Sequence, residues 1–370
     1  MKLSGQILTP RGWHSGELEF ERQIIGIRSK LNAPKRFIAP GFIDVHVHGG
    51  GGGDTMDGLD GLKTLAAYHA QHGTTALLAT TITNPWKNIL KALKNIQKAV
   101  NAADWTGSRI IGAHLEGPFI SPHKLGAQPA FMLEPTAENV KKVLESGVIK
   151  VVTLAPELNG ALLAAQLFLE AGVRVSLGHT IGTSDHANAI FELSSQLKRA
   201  SQVGGTHLYN AMGGLEGRKP GVLGALLANP NAWGEVILDL QHVHPSSFRA
   251  AFFAKPEKLL LITDAMRAAG MPDGHYDLGG QMARLENGAV TLPDGTLAGS
   301  VLTMLGAVQN AVGAGLALEV ALKLASSHPA QYLGLTDCGK IAKHTRADLV
   351  VLREDLSLEA VFIGGKKIVG

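Results

Sequence analysis

Pro40-Gly41-Phe42-Ile43-Asp44-Val45-His46-Val47-His48 is an apolar, β-branched run that ends in His-x-His and passes straight into five glycines, Gly49 to Gly53. Residues two apart on a strand point to the same face, so the two imidazoles converge at the strand's end, as ligands of a metal ion must. The glycines let the backbone turn sharply and lie close to whatever sits there. Alone, such a pair is equally a solvated strand end. Four more candidate ligands stand in matching positions further along the chain.

Beyond residue 40, short apolar runs alternate with longer segments of helical periodicity. The runs are Ile43–His48, Thr75–Thr81, Ile110–Glu116, Lys150–Pro156, Arg174–His179, Gln202–Tyr209, Glu235–His242 and Lys258–Asp264. Helices are expected over Leu59–His72, Trp86–Asn101, Ala137–Ser146, Ala161–Ala171 and Asp185–Arg199, with Gly73 and Gly172 as terminating glycines. Eight βα units point to an α/β fold of the TIM (β/α)8 barrel type. A doubly wound sheet is the alternative, but the glycine-rich phosphate loop it calls for after its first strand is missing.

The two ends read differently. Residues 1–40 hold short strand candidates, Gln6–Leu8, Glu17–Glu21 and Gln23–Arg28. The C-terminal end adds Ile341–Ala342, Asp348–Leu352, Leu356–Phe362 and Lys366–Val369. Neither end has the apolar area for a sheet of its own, so a small β-sandwich domain built from both termini is expected. The boundaries are 1–40 plus 335–370 for that domain and 41–334 for the barrel. A hairpin-like insert is expected over Ala283–Ala298, with turns at Glu286-Asn287-Gly288 and Pro293-Asp294-Gly295.

A formal net charge of +3 on 370 residues argues against nucleic acid as a partner. The lysines at 87, 91, 94 and 98 have the spacing of one wet helix face. One cysteine, Cys338, excludes an intramolecular disulfide framework. No apolar run reaches the length of a membrane span, and the first residues turn polar too soon for a secretory signal. A soluble, cytoplasmic enzyme is expected.

In such a barrel the chemistry sits at the C-terminal ends of the strands. Strand one ends in His46 and His48, strand three in Glu116, strand five in His179, strand six in His207 and strand eight in Asp264. Imidazole with carboxylate suits zinc or another divalent first-row metal. Taken singly, each is more simply a capping or solvated residue. Five strand ends of eight carrying such a group after a buried run is a different matter. His114 shares the face of Glu116 and reads as either a supporting or a packed residue, and His69 and His72 as structural.

The same positions carry a family resemblance. His-x-His after strand one, His after strands five and six, and Asp after strand eight resemble the amidohydrolase superfamily. HLEGPF at 114–119, GHT at 178–180, THLYNAM at 206–212, Arg218-Lys219-Pro220-Gly221, TDAM at 263–266 and LAGS at 297–300 resemble the N-acetylglucosamine-6-phosphate deacetylase family within it. The resemblance implies that Glu116, His179 and His207 hold one divalent ion. It implies that His46 and His48 join Glu116, and Asp264, around a second. Zn(2+) is the expected metal, as one or two ions, with Fe(2+), Mn(2+) and Co(2+) as alternatives. Asn210, the backbone of Ala211, and His242 would contact the sugar phosphate, and Arg218 would reach into a neighbouring subunit, making a homodimer. Two departures stand out. Gln128 occupies a place where many members have histidine, and Leu240 one where they usually have glycine.

The implied reaction is hydrolysis of the N-acetyl group of N-acetylglucosamine 6-phosphate. Asp264 would act as general base and then general acid, and Gln128 would help steady the oxyanion. The other readings are a deacetylase of N-acetylgalactosamine 6-phosphate, a phosphoesterase on the same barrel, and a non-catalytic scaffold. The last is disfavoured because all six ligand positions are kept.

Overall fold

The computed structural model describes residues 1–370. Eight parallel strands form the central sheet: β1 (Phe42–Val47), β2 (Thr74–Thr81), β3 (Arg109–Leu115), β4 (Ile149–Leu154), β5 (Arg174–Leu177), β6 (Val203–Gly205), β7 (Trp233–Ile237) and β8 (Leu259–Ile262). They pair in sequence order, which is the arrangement of a TIM barrel. Each run is apolar enough to be buried on both faces, as a helix-wrapped parallel strand must be. A single core of 75 buried residues fills the ring and its junctions with the helices and with terminal strands that supply Leu8, Ala39, Val350 and Leu352.

The ring closes between β8 and β1 through polar contacts. The Asp264 N–H donates to the His46 carbonyl at 2.9 Å. The Asp44 carboxylate accepts from the Thr263 hydroxyl at 2.5 Å and from the Thr263 N–H at 3.4 Å.

The helices begin and end where local chemistry dictates. Gly73 and Gly172 follow their helices with φ of 91° and 78°, the left-handed conformation a terminating glycine adopts without strain. The helix expected from Asp185 starts at Ser184, behind a reciprocal cap between Thr183 and His186.

Strands from both termini make one seven-stranded sheet. Its order is Lys366–Val369, Leu358–Ile363, Leu349–Leu352, Phe37–Pro40, Lys2–Thr9, Gly12–Phe20, Ile24–Ser29. Phe20 and Phe362 lie four strands apart, about 19 Å if the sheet were flat at about 4.8 Å per strand. Their rings are 5.3 Å apart. The sheet therefore folds over its own core, around Ile7, Leu18, Ile38, Leu349 and Val351, to give the sandwich.

Some elements differ from the sequence reading. Ile341–Ala342 forms no strand; Ile341 is instead a buried member of the small core. The strand expected from Leu356 starts at Leu358, because Leu356 has a φ of 62° that a ladder cannot hold. The short strand Phe37–Pro40 is additional to those expected. The insert is larger than the expected hairpin, a three-stranded meander of Gly274–Leu278, Gln281–Glu286 and Ala289–Thr291. It packs over the strand ends through Leu278, Leu285 and Val290 against Ile82 and Met266.

Candidate metal centre

The ligand-type residues stand at, or just beyond, the ends of their strands. The ladders stop there because the backbone turns left-handed: φ is 48° at His179, 29° at His207 and 49° at Asp264. Tyr209, Ala211 and Leu240 share this conformation at the same rim. Non-glycine residues seldom adopt it, and such strain concentrates where function over-determines the fold. The glycine run after His48 serves close approach. A Cβ at Gly49 would lie 2.5 Å from the Gly53 carbonyl, and one at Gly50 would lie 2.8 Å from His69 Nε2.

Glu116 is the hub. Its Oε1 lies 3.1 Å from His179 Nε2 and 3.0 Å from His207 Nε2, and those two nitrogens are 3.1 Å apart. Its Oε2 lies 3.1 Å from His48 Nε2, which is 3.2 Å from Asp264 Oδ1. His46 Nε2 completes the second group at 3.4 Å from Glu116 Oε1 and 3.5 Å from Asp264 Oδ1. All six side chains are buried. The structure thus brings all six sequence-derived ligand candidates together.

The donor set fits a divalent cation. Donors about 2.0–2.1 Å from a shared ion lie about 2.9 Å apart in octahedral and about 3.3–3.4 Å apart in tetrahedral geometry. The Glu116–His179–His207 triangle falls between these. His46 Nε2 is buried, aimed into the cluster, and lacks a hydrogen-bond partner. Burial disfavours the Glu116 carboxylate, yet the imidazoles of His46 and His179 hold its pKa well below the usual range. Burial likewise opposes ionisation of Asp264, but His46 and His48 pull it down to about 2. No lysine or arginine lines the cavity at this centre, which measures about 230 Å³.

Supporting contacts fix these groups. The Lys124 carbonyl meets His179 Nδ1 at 2.8 Å, leaving Nε2 free for the centre. His114 commits both nitrogens, to the Val45 carbonyl at 3.0 Å and Thr153 Oγ1 at 2.8 Å, and packs against His46 as a prop. His69, buried on its helix, donates Nε2 to the Gly49 carbonyl at 2.9 Å. Glu235, on β7, meets His46 Nδ1 at 3.1 Å. Within a buried run Glu235 carries no motif or ligand spacing that marks it. A carboxylate inside an apolar strand is the one clue that could have found it.

The expected substrate contacts divide. Gln128, Asn210, Ala211 and His242 line the cavity, with Leu278 and Leu297 of the insert as further walls. The Gln128 amide is engaged on both sides. Nε2 donates to Glu116 Oε2 at 2.6 Å, and Oε1 accepts from the Thr83 N–H at 2.7 Å. The Asn210 N–H is spent on the His207 carbonyl, whereas that of Ala211 has no acceptor within the chain. His242 Nδ1 pairs with Asp239 at 2.7 Å. Burial lowers the pKa of His242, but Asp239 outweighs it and raises the pKa above the ordinary histidine value. Arg218 is exposed on the loop after β6 and does not line the cavity.

The sequence matches the Amidohydrolase family over residues 37–224 and 283–368. It is 39% identical over 327 residues to N-acetylglucosamine-6-phosphate deacetylase of Bacillus subtilis, covering 86% of this chain and 81% of that protein. It is 38% identical over 335 residues to N-acetylgalactosamine-6-phosphate deacetylase of Escherichia coli O157:H7, covering 89% and 87%. In three dimensions it superposes with a TM-score of 0.93 and 34% identity on an N-acetyl-D-glucosamine-6-phosphate deacetylase from Mycobacterium smegmatis, over 100% of this chain and 99% of that one. That structure is of an aspartate-to-alanine mutant in complex with N-acetyl-D-glucosamine-6-phosphate. With His-x-His on strand one, histidines after strands five and six, aspartate after strand eight, and matches of this extent, the chain belongs to the amidohydrolase family.

Proposed function

We propose that this chain is a hydrolase that removes the acetyl group of N-acetylglucosamine 6-phosphate, giving acetate and glucosamine 6-phosphate. The observation that carries the reading is the meeting of Glu116 Oε1, His179 Nε2 and His207 Nε2 within 3.0–3.1 Å, at the floor of a cavity that Asp264 also lines. A divalent cation held there supplies an acidified water and polarisation of the acetyl carbonyl.

Zn(2+) is our choice of ion, on the nitrogen and oxygen donors. We favour two ions, the first on Glu116, His179 and His207 and the second on His46, His48, Glu116 and Asp264. Support comes from buried carboxylates gathered with no lysine or arginine lining the cavity.

The chain's own groups then divide the work. Asp264 takes a proton from the attacking water as its oxygen bonds to the acetyl carbon. It returns that proton to the nitrogen as the carbon–nitrogen bond breaks, so that acetate and the free amine leave. Gln128, held by Thr83, keeps Glu116 in place and offers its remaining N–H toward the developing oxyanion. His242, the Ala211 N–H and Asn210 receive the phosphate end.

We further propose a homodimer. The cavity of one chain holds no guanidinium or ammonium for a phosphate, and Arg218 stands exposed on a loop beside it. Mixing inactive Arg218→Ala with inactive Asp264→Asn chains would restore activity if Arg218 serves a partner's site. The division into 1–40 plus 335–370 and 41–334, and a cytoplasmic location, are our assignments too. No helix is long and apolar enough to cross a membrane.

A second substrate is favoured by one finding, the 38% identity to N-acetylgalactosamine-6-phosphate deacetylase. Acetate release measured side by side on both epimers, with and without chelator, tests both readings. Chelator-sensitive release from the glucosamine derivative supports the first. Release from the galactosamine derivative alone supports the second, and release from neither overturns both.

A further inference from the structure

β7 reads Trp233-Gly234-Glu235-Val236-Ile237, and all five residues are buried. A carboxylate in such a run is a local conflict, because an ionised group taken from water costs free energy that a leucine would not. Glu235 is 1% exposed. Its one ion-pair partner is the His46 imidazole, with Oε2 3.1 Å from Nδ1. Its other oxygen, Oε1, has no hydrogen-bond partner. No lysine or arginine pairs with it.

His46 has a hydrogen-bond partner for its ring on that side alone. Its Nδ1 faces Glu235, while Nε2 has no hydrogen-bond partner and looks toward Glu116 and Asp264. The nearby His114 is not a competing ligand for an ion beside Glu235, since both of its nitrogens are committed to Val45 and Thr153. What remains is a chain of contacts from Glu235 through His46 to the centre.

We propose that Glu235 is the positioning residue of His46: it fixes the tautomer with the proton on Nδ1, aims the Nε2 lone pair at the second ion, and passes its negative charge to that ion through the ring. The inference rests on the two-ion reading above. Carboxylates in this relation to a ligating histidine set ring orientation and ligand basicity, and losing one typically weakens metal binding about 10–100-fold. Because Glu235 pairs with His46 and with no other of the six ligands, its effect falls on one ion and spares the other.

The test uses the full-length protein and two variants, Glu235→Gln and Glu235→Leu. Gln is near-isosteric and keeps an acceptor oxygen for Nδ1–H but removes the charge, whereas Leu removes both. Cobalt(II) titrations of metal-free protein against a competing chelator give the affinity of each ion. Nitrogen-15 NMR of histidine-labelled, zinc-loaded protein shows which ring nitrogen of His46 carries the proton. The wild type should show Nδ1 protonated and two cobalt ions bound. Glu235→Gln should keep the tautomer and bind the second cobalt about tenfold more weakly. Glu235→Leu should bind it about 100-fold more weakly. The ion on Glu116, His179 and His207 should stay within about twofold throughout.

An unchanged second affinity in Glu235→Leu, or equal weakening of both ions, would overturn the proposal, since a merely structural role gives no such graded, one-sided loss. One cobalt per wild-type chain would overturn the two-ion reading instead. The tautomer would then decide for Glu235, and an Nε2-protonated His46 in the wild type would refute it.

Discussion

Thr263 donates its hydroxyl to Asp44 Oδ2 at 2.5 Å, joining the end of β8 to β1 at the one seam of the barrel that no backbone ladder crosses. Asp44 also accepts from the N–H groups of His46 and Thr263. Burial pushes its carboxyl up to about 7 against the pull of these donors. One side chain thereby aligns His46 with Asp264 across the seam.

Asp44→Ala would strand three buried donors. At about 1–3 kcal/mol for an unsatisfied buried group, with partial relaxation, the loss should be about 2–4 kcal/mol. Asp44→Asn keeps one acceptor oxygen and should lose less than half of that. Urea unfolding of the metal-free protein measures both, and an alanine variant as stable as the wild type would remove Asp44 from this role.

Asp264→Asn should lower the rate of acetate release about 10²–10⁴-fold, the usual worth of a general acid–base group. The ion on Glu116, His179 and His207 should remain bound. Rates and elemental analysis of the same samples check this, and a fully active variant would take the proton transfer away from Asp264.

Leu240 sits at φ 69° with half its surface exposed. A non-glycine residue is disfavoured there by about 1–2 kcal/mol, and glycine's extra freedom in the unfolded chain returns about 0.4–1 kcal/mol. Leu240→Gly should therefore be about 0.5–1 kcal/mol more stable in urea, with acetate release intact. A less stable variant would mean that the leucine side chain makes contacts worth more than the strain.

His69 supplies the acid limit. Burial pushes its pKa down to about 4, against the favourable bond to the Gly49 carbonyl. The unfolded chain binds a proton near pH 6.5 and the folded chain does not until about pH 4. Stability is thus lost as pH falls through that window and is fully present above it. At 1.36 kcal/mol per pH unit the loss is on the order of 3 kcal/mol. His69→Gln keeps a donor and does not titrate, so its stability should fall less over the same window. Parallel curves for the two proteins would contradict the assignment.

The barrel was legible because each buried strand is a contiguous apolar run, and six ligand positions were legible because they terminate those runs. Strand ends were not. The apolar runs extend to His179 in β5 and to Tyr209 in β6, whereas the left-handed backbone at His179 and His207 ends pairing earlier. Glu235 escaped notice because its partner His46 is 189 residues away, and no local pattern couples them. The sequence presents Gln128 as a substrate and oxyanion contact. Its bonds to Glu116 and Thr83 depend on three segments meeting, which periodicity does not encode. Arg218 has a motif but no place in the cavity of a single chain.

The most direct measurement is anomalous X-ray scattering at the metal edge from crystals of the purified protein. The expected result is a peak about 2.0–2.1 Å from Glu116 Oε1, His179 Nε2 and His207 Nε2 together. A catalytically active crystal with no anomalous peak among those three atoms would contradict the shared ion on which the chemistry depends.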